Sequence, residues 1–437
     1  MASTYLTKTN SGTGSETKAT FSAWIKISNF GDDNTIFREY ESSGNYISIK
    51  LKSGAIQVYG QNNSSAFVNV KTERLLRDFN GWYHAVVAID STQSTAADRV
   101  KIYINGVQET ALASTTYPGS SANCKINQNN EVQTIGGAGS SEYFDGYLSH
   151  VHWVDGTAYA ASTFGSTDST TGEWKINTSP TITMGANGFT ILKDGNTITD
   201  QSSNSNNFSL GGGTLTKSED CPSNVFATLN PVIRSSNGTF ASGNNKFTTS
   251  GGAWGSGFTT LGMFNGQGKY YMEFKGASGT KIGYGISDFK QDGVIDRTQR
   301  DETRYCGEYA NSYAYHYGGN FYYSGSSTST GYDSFTSSNV IGMAVDMDNL
   351  KIYFHKDGVY QDSKNPASNN GYTIVAPEGV YLPTICVEDA GAAANFGNGV
   401  FDTTAISSAG TNASGIGVFE YDVPTGYTAL STKGLNL

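Results

Sequence analysis

Charge is in short supply in this sequence. Only 15 % of the 437 residues are Asp, Glu, Lys or Arg, against about 25 % in ordinary globular chains. Lys and Arg number 28 against 38 Asp and Glu, a formal net charge of −10. There is no basic run, so the positive footprint that a phosphate backbone or an anionic membrane surface requires is missing. Nucleic acid and membrane insertion are excluded as expected partners. Proline is scarce at 8 residues, which excludes a collagen-like repeat. No apolar stretch approaches the ~18 residues of a membrane span. The start, Met1-Ala-Ser-Thr-Tyr5, has neither the basic nor the apolar region of a secretory signal. The four cysteines, Cys124, Cys221, Cys306 and Cys386, stand far apart without metal-like spacing. Isolated, mostly buried thiols are therefore expected, as in a protein made in a reducing cytoplasm.

What is present is glycine, 53 of 437, together with 27 Tyr and 22 Phe. Disordered chains lack such rings, so a packed protein is expected. Alternation of apolar and polar residues dominates. Residues 21–27 (FSAWIKI), 46–51, 55–59, 83–89, 100–104 and 144–153 read as strands. Asn105-Gly106 gives a type I′ hairpin signal between two of them. Only 73–77 and 158–164 suit a helical turn. A second alternating series covers 269–274, 281–286, 340–346, 350–354, 381–387 and 393–397. Between the two series, residues 167–231 are polar and turn-rich, yet hold apolar anchors at Phe189, Leu192, Phe226 and Leu229. They read as an ordered, extended connector. The fold class expected is all-β: two antiparallel sandwiches, 1–166 and 232–437, joined by the connector 167–231.

Few motifs carry chemistry. A glycosidase of this fold class needs two carboxylates flanking the bond, and the nearest spacing, Glu142 with Asp145, straddles a turn and does not converge. His150 and His152 share a strand face at metal-competent spacing but lack a third ligand nearby. There is no Gly-x-Ser-x-Gly elbow and no phosphate loop. No enzymatic activity and no cofactor are expected. The densest feature is a tyrosine run, Tyr305, Tyr309, Tyr313, Tyr315, Tyr317 and Tyr322, with Phe321 and Tyr323 beside it. Tyrosine interleaved with Ser, Gly and Asn is the composition of binding surfaces. Half of these rings are expected to be inward-facing strand residues, alternating with Ser and Gly, and the run is carried as the candidate partner-binding surface.

Two resemblances follow from particular residues. Trp82-Tyr-His84, Val100–Gly106 and Phe144-Asp-Gly-Tyr-Leu148 resemble a laminin-G/concanavalin-like jelly roll over 1–166, in which the Trp packs in the core. That resemblance implies calcium as a possible ligand, with Asp32, Asp33 and Asp98 as candidates in loops. Gly268-Lys-Tyr-Tyr271, Ile282-Gly-Tyr-Gly-Ile286, Asp357-Gly358 and Asn395-Phe-Gly397 resemble a SPRY domain over about 235–437. The combination resembles tailed-phage virion proteins of marine type, through Phe144–Gly156, Phe164-Gly-Ser-Thr-Asp168, Phe226–Pro231 and Val423–Leu430. It implies a structural protein on the virion surface, synthesised in the bacterial cytoplasm: a capsid decoration or a head or tail appendage. The partners implied are other virion proteins and a host-surface glycan or protein, with the chain present in many copies or as a homo-oligomer. A tail-fibre, lectin-like adhesin is the alternative, and a polysaccharide depolymerase a further one.

Overall fold

The computed structural model describes residues 3–31, 33–289, 305–328 and 331–436. The chain divides into two compact units, Met1–Leu215 and Thr216–Leu437. The segment 167–231 is no third body. Phe189 and Phe208 are buried in the first unit and Phe226 in the second, so each apolar anchor draws its stretch of chain onto the nearer core.

The first unit begins with β1 (Tyr5–Thr9), β2 (Lys18–Ile27), β3 (Asn34–Ser42), β4 (Asn45–Lys52), β5 (Ala55–Asn62) and β6 (Ser65–Thr72). It continues with β7 (Tyr83–Asp90), β8 (Val100–Ile104), β9 (Val107–Gln108), β10 (Leu112–Thr116), β11 (Val132–Ile135) and β12 (Gly146–Asp155). Short strands β13 (Gly165–Thr167), β14 (Trp174–Ile176), β15 (Phe189–Ile191) and β16 (Ser209–Gly212) complete it. Among the described residues these form an eight-stranded sheet, β10-β6-β5-β4-β3-β11-β1-β16, a six-stranded sheet, β15-β12-β2-β7-β8-β9, and a two-stranded ribbon, β13-β14. The strands follow the alternation of the sequence. Between β8 and β9, Asn105 and Gly106 take φ of 48° and 82°, the paired positive angles that a type I′ turn demands. The candidate helical segment 73–77 is irregular, and 158–164 holds a single 3-10 turn at Ala161–Thr163.

The core lies between the two sheets. Phe21, Ile25, Phe37, Ile47, Ile49, Val58, Val70, Val87 and Trp153 meet there, each contributing about 1.5–3 kcal/mol by burial. Phe37 stacks on Trp153 at 4.4 Å, and the indole Nε1 donates to Asn127 Oδ1 at 2.7 Å. The polar end of the buried ring is thereby satisfied. Trp82 is buried as well, but its ring neighbour is Tyr147 at 6.2 Å and it stands apart from this inter-sheet cluster.

The second unit is again built on two large sheets among the described residues, with a small ribbon of Val400–Phe401 and Thr404–Ala405 beside them. One has seven strands in the order Leu229–Arg234, Trp254–Thr259, Val380–Glu388, Lys281–Phe289, Ser312–His316, Asn320–Tyr323 and Ser326–Thr328. The other centres on Gly391–Asn395, Lys269–Ser278, Val340–Asp346 and Lys351–Lys356. Tyr270, Met272, Phe274, Tyr284, Tyr315, Ile341, Phe354 and Ile385 fill the space between them. The outer face of the second sheet is roofed by the chain end, where Phe419, Val423 and Tyr427 pack on Tyr271 and Tyr353. Among the described residues no helix is long and apolar enough to cross a membrane.

Candidate ligand-binding face

Alternation in β3–β6 sends Ile47, Ile49, Val58 and Val70 into the core and the residues between them outward. Cross-strand register then gathers the outward set. Tyr40 pairs Tyr46 and Arg38 pairs Ser48; Tyr46 pairs Gln61, Ser48 pairs Tyr59 and Lys50 pairs Gln57; Tyr59 pairs Asn69 and Gln57 pairs Lys71. Residues 33 apart in sequence thus share one surface, with Arg38, Tyr40, Tyr46, Lys50, Tyr59, Gln61, Asn69 and Lys71 all half-buried.

The rings and cations interlock. The Arg38 guanidinium carbon lies 4.5 Å from the centroid of Tyr40 and 4.3 Å from that of Tyr46. Tyr46 and Tyr59 are 6.1 Å apart, and the Lys50 ammonium sits 5.6 Å from the Tyr59 ring. Such contacts order long side chains at little cost. Gln57 Nε2 donates to Asn69 Oδ1 at 2.8 Å, and Gln61 Nε2 to the Tyr59 hydroxyl at 3.1 Å. Burial pushes the Arg38 pKa down and that of Tyr46 up; the first remains a cation and the second a neutral phenol. At one margin Lys50 Nζ is 2.6 Å from Asp33 Oδ1 and 3.8 Å from Glu142 Oε2. Lys52 pairs with the other Asp33 oxygen. Burial alone would raise the Asp33 pKa; hydrogen bonds from the two lysines outweigh it and hold the carboxyl below its ordinary value. A tilted row of phenol rings beside amides and cations can take the apolar C–H faces and hydroxyl edges of a polyhydroxylated ligand at once.

The tyrosine run lies elsewhere and is not one surface. Tyr315 is fully buried, and Tyr309 and Tyr313 nearly so, so these three serve the interior rather than a partner. The reason is strand period: Ser312–His316 turns Tyr313 and Tyr315 inward, where Tyr315 meets Tyr332 at 4.8 Å and Phe335 at 4.9 Å. Tyr317 packs partly buried against the same core. Tyr305 and Tyr322 are half-buried around the ring of His316, at 5.1 and 4.5 Å. Tyr323 is the most exposed of the run at 42 %.

The metal candidates do not assemble. Asp32 lies outside the described residues, Asp33 is held by lysines as above, and Asp98 pairs with Lys101 at 3.0 Å. Among the described residues no three His, Cys, Asp or Glu side chains are grouped to hold a metal ion. His150 and His152 flank a strand irregularity and have no third ligand grouped with them among the described residues. The ladder between β12 and β2 shifts between Ser149 and His152, and His150 takes φ of 49° at that irregularity. His152 is buried, bonded through Nδ1 to Thr190 Oγ1 at 2.9 Å, with its pKa pushed down to about 3 by burial. Glu142 and Asp145 also part, the first accepting from Thr35 at 2.8 Å and the second from Asn29.

The cysteines require a correction. Cys306 and Cys386, 80 residues apart, form a disulfide, while Cys124 and Cys221 are free. Distance in sequence concealed the pair because Cys386 stands opposite Gly283 in the sheet, and the loop at Cys306 returns to the same place, its amide donating to Cys386 Sγ at 2.8 Å.

Two buried carboxylates escaped the sequence reading. Glu39 accepts from Asn10 at 3.0 Å, from the Gln128 amide at 2.9 Å and from Gln133 at 2.8 Å. Glu273 accepts from the amides of Glu420 at 2.8 Å and Tyr421 at 2.7 Å, pinning the chain end to its sheet. Burial raises both to about 7. Strand parity with Phe37 was the available signal that Glu39 points inward. Both hold structure together and neither opens onto a cleft formed by described residues.

Comparison with known proteins identifies domain families in both units. A family model for the concanavalin A-like lectin/glucanases superfamily matches residues 2–163, and one for the SPRY domain matches residues 256–399. No curated protein matches the chain. Among solved structures, a human SPRY domain is 16 % identical with a TM-score of 0.28, covering 36 % of this chain and 94 % of that one. A SAP-like pentraxin from Limulus polyphemus is 17 % identical with a TM-score of 0.30, covering 44 % and 90 %. A putative carbohydrate binding protein from Bacteroides ovatus is 19 % identical with a TM-score of 0.34, covering 49 % and 57 %. The first unit carries a concanavalin A-like domain and the second a SPRY domain.

Proposed function

We propose that this chain is a non-enzymatic, lectin-like binding protein whose ligand is a glycan and whose ligand surface is the outward face of β3–β6. One observation carries the reading: Tyr40, Tyr46 and Tyr59 stand half-exposed and in register with Arg38, Gln57 and Gln61 on a single sheet face. The family match of the first unit to lectins and glucanases supports it. A glucanase-type reaction finds less support. The two carboxylates at the margin of the face, Asp33 and Glu142, are engaged with Lys50, Lys52 and Thr35 rather than flanking a space between them.

The place of action we propose is the surface of a tailed-phage particle, where the chain decorates the capsid or forms a head or tail appendage. The virion-like stretches 144–156, 226–231 and 423–430 support that part. An open glycan face favours adhesion to the host surface over reinforcement alone. Screening the full chain on a glycan array, with Tyr46→Ala and Tyr59→Ala beside it, tests the binding role. Loss of the captured glycan in both variants, without reducing-sugar release by the parent chain, is the expected result. Capture unaffected by either variant, or release of reducing sugar, would overturn the reading. Antibody labelling of particles tests the location, and particles without label would refute it.

A further inference from the structure

The outward face of β3–β6 has its own charge balance, opposite to that of the chain. Its described residues bring four cations, Arg38, Lys50, Lys52 and Lys71, against two carboxylates, Asp33 and Glu142, in a chain of net charge −10. Both carboxylates are already committed to Lys50 and Lys52. Arg38 and Lys71 are left without an ion pair among the described residues.

Arg38 is the sharper case. Its guanidinium is fixed between Tyr40 and Tyr46, at 4.5 and 4.3 Å from the ring centroids. Its hydrogen bond among the described residues is from Nη1 to the Ala138 carbonyl at a long 3.4 Å, and Nε is buried without an acceptor. A guanidinium carries five N–H donors in a rigid plane that matches a carboxylate through two parallel hydrogen bonds. Here that plane is already ordered by the rings, so little side-chain freedom remains to be lost on binding. Other cations of the chain are held either by carboxylates, as Lys269 by Asp346 at 2.9 Å, Lys246 by Asp402 at 2.8 Å and Lys175 by Asp168 at 2.7 Å, or by backbone carbonyls, as Arg99 by those of Gln93, Ser94 and Pro118 at 2.9–3.0 Å. An arginine left with donors to spare beside a row of tyrosines marks a place where the anion comes from outside.

We propose that the face of β3–β6 takes an acidic glycan, a polysaccharide segment bearing uronic-acid carboxylates, with Arg38 receiving a carboxylate while Tyr46 and Tyr59 carry the sugar rings. The assignment rests on the glycan-binding reading above and narrows it to one ligand class. Lys71, on the neighbouring strand at the same face, supplies longer-range attraction for the next acidic residue of the polymer. A neutral glycan would leave the Arg38 donors without a charged acceptor, and a sulfated one would lack the planar match.

Calorimetry on the full chain tests this. The probes are uronate hexasaccharides of three kinds, galacturonate, mannuronate–guluronate and glucuronate–N-acetylglucosamine, each beside its carboxyl-reduced counterpart, with dextran sulfate as a further arm. We expect at least one acidic probe to bind, its reduced counterpart to bind about tenfold or more weaker, and Arg38→Gln to lose a similar factor. Arg38→Lys recovers only part of it, and added salt weakens what remains. Thermal melting reports whether each variant folds; if Arg38→Gln does not, Lys71→Gln and the salt dependence decide. Equal binding of acidic and reduced probes overturns the acidic assignment and leaves the glycan reading standing. No binding of either kind overturns both. Dextran sulfate binding as tightly as the uronates, with Arg38→Lys equal to the parent, overturns the carboxylate match. Self-association lost in Arg38→Gln, with no glycan bound, assigns the face to a second copy of the chain and overturns the proposal as well.

Discussion

In the first sandwich Tyr40, Tyr46 and Tyr59 stand half-exposed on an outer sheet face, whereas in the second the outer-face residues Tyr271 and Tyr353 are wholly buried. The difference lies in what covers each sheet. In the second unit the chain end closes over Tyr271 and Tyr353 with Phe419, Val423 and Tyr427, and Glu273 anchors that cover through two backbone amides. The six-stranded sheet of the first unit is covered in the same manner. Phe164 is buried against it, and Trp174 stacks 6.0 Å from His84 while its Nε1 donates to His84 Nδ1 at 3.0 Å. Nothing of the kind closes over β3–β6 among the described residues. Covered faces thus add their rings to the core, whereas the open face of β3–β6 is the one we propose as the ligand surface.

Several substitutions would break or sharpen that contrast, beginning with the largest effect. Tyr315→Ala removes a ring from the densest part of the second core and is expected to cost about 3–5 kcal/mol in urea unfolding, with glycan capture intact. Little cost together with lost capture would reverse the comparison. Removing the disulfide by Cys386→Ser opens a link between residues 80 apart and is expected to lower the stability of the second unit by about 2–4 kcal/mol. The first unit, whose Cys124 is free, should respond to reductant hardly at all; an equal loss in both would contradict the assignment.

Acid should weaken both units, because each buries histidines. His84 and His152 in the first and His316 and His355 in the second are pushed by burial to about 3 or 4, below the ordinary value near 6.5. The unfolded chain therefore takes up these protons first as pH falls through 6.5, and stability is lost. Glu39 and Glu273, raised to about 7, act oppositely: between pH 7 and about 4.5 the folded state keeps a proton that the unfolded state releases. Two histidines outweigh one carboxyl in the second unit, and three do in the first, where burial also lowers His150, so both should weaken on acidification from pH 6.5 to 5, by about 1 kcal/mol per pH unit or more. Urea titrations at the two pH values check this, and the Glu273→Gln chain should show a steeper loss in the second unit alone. Tyr46→Ala gives the smallest stability effect, under about 1 kcal/mol because the ring is half-exposed, yet it should abolish capture.

The strands were legible because each rests on local alternation; residues 46–51 and 83–89 needed only their own pattern and a turn signal. The two-sandwich architecture followed from their spacing, and the two domain resemblances from ordered motifs such as Ile282-Gly-Tyr-Gly-Ile286. The candidate site was not legible. Its residues are scattered from 38 to 71 and meet only through the register of four strands, whereas the conspicuous run at 305–323 is half strand interior. The disulfide and the strand irregularity at His150 escaped for the same reason: each depends on a register or a loop return that no local pattern encodes.

The most direct test of the central claim is hydroxyl-radical footprinting of tyrosine side chains in the full chain, with and without the glycan it captures most tightly. Protection of Tyr40, Tyr46 and Tyr59, with Tyr305, Tyr322 and Tyr323 unchanged, is the result predicted. Protection confined to Tyr305, Tyr322 and Tyr323 would contradict the account and return the binding surface to the second sandwich.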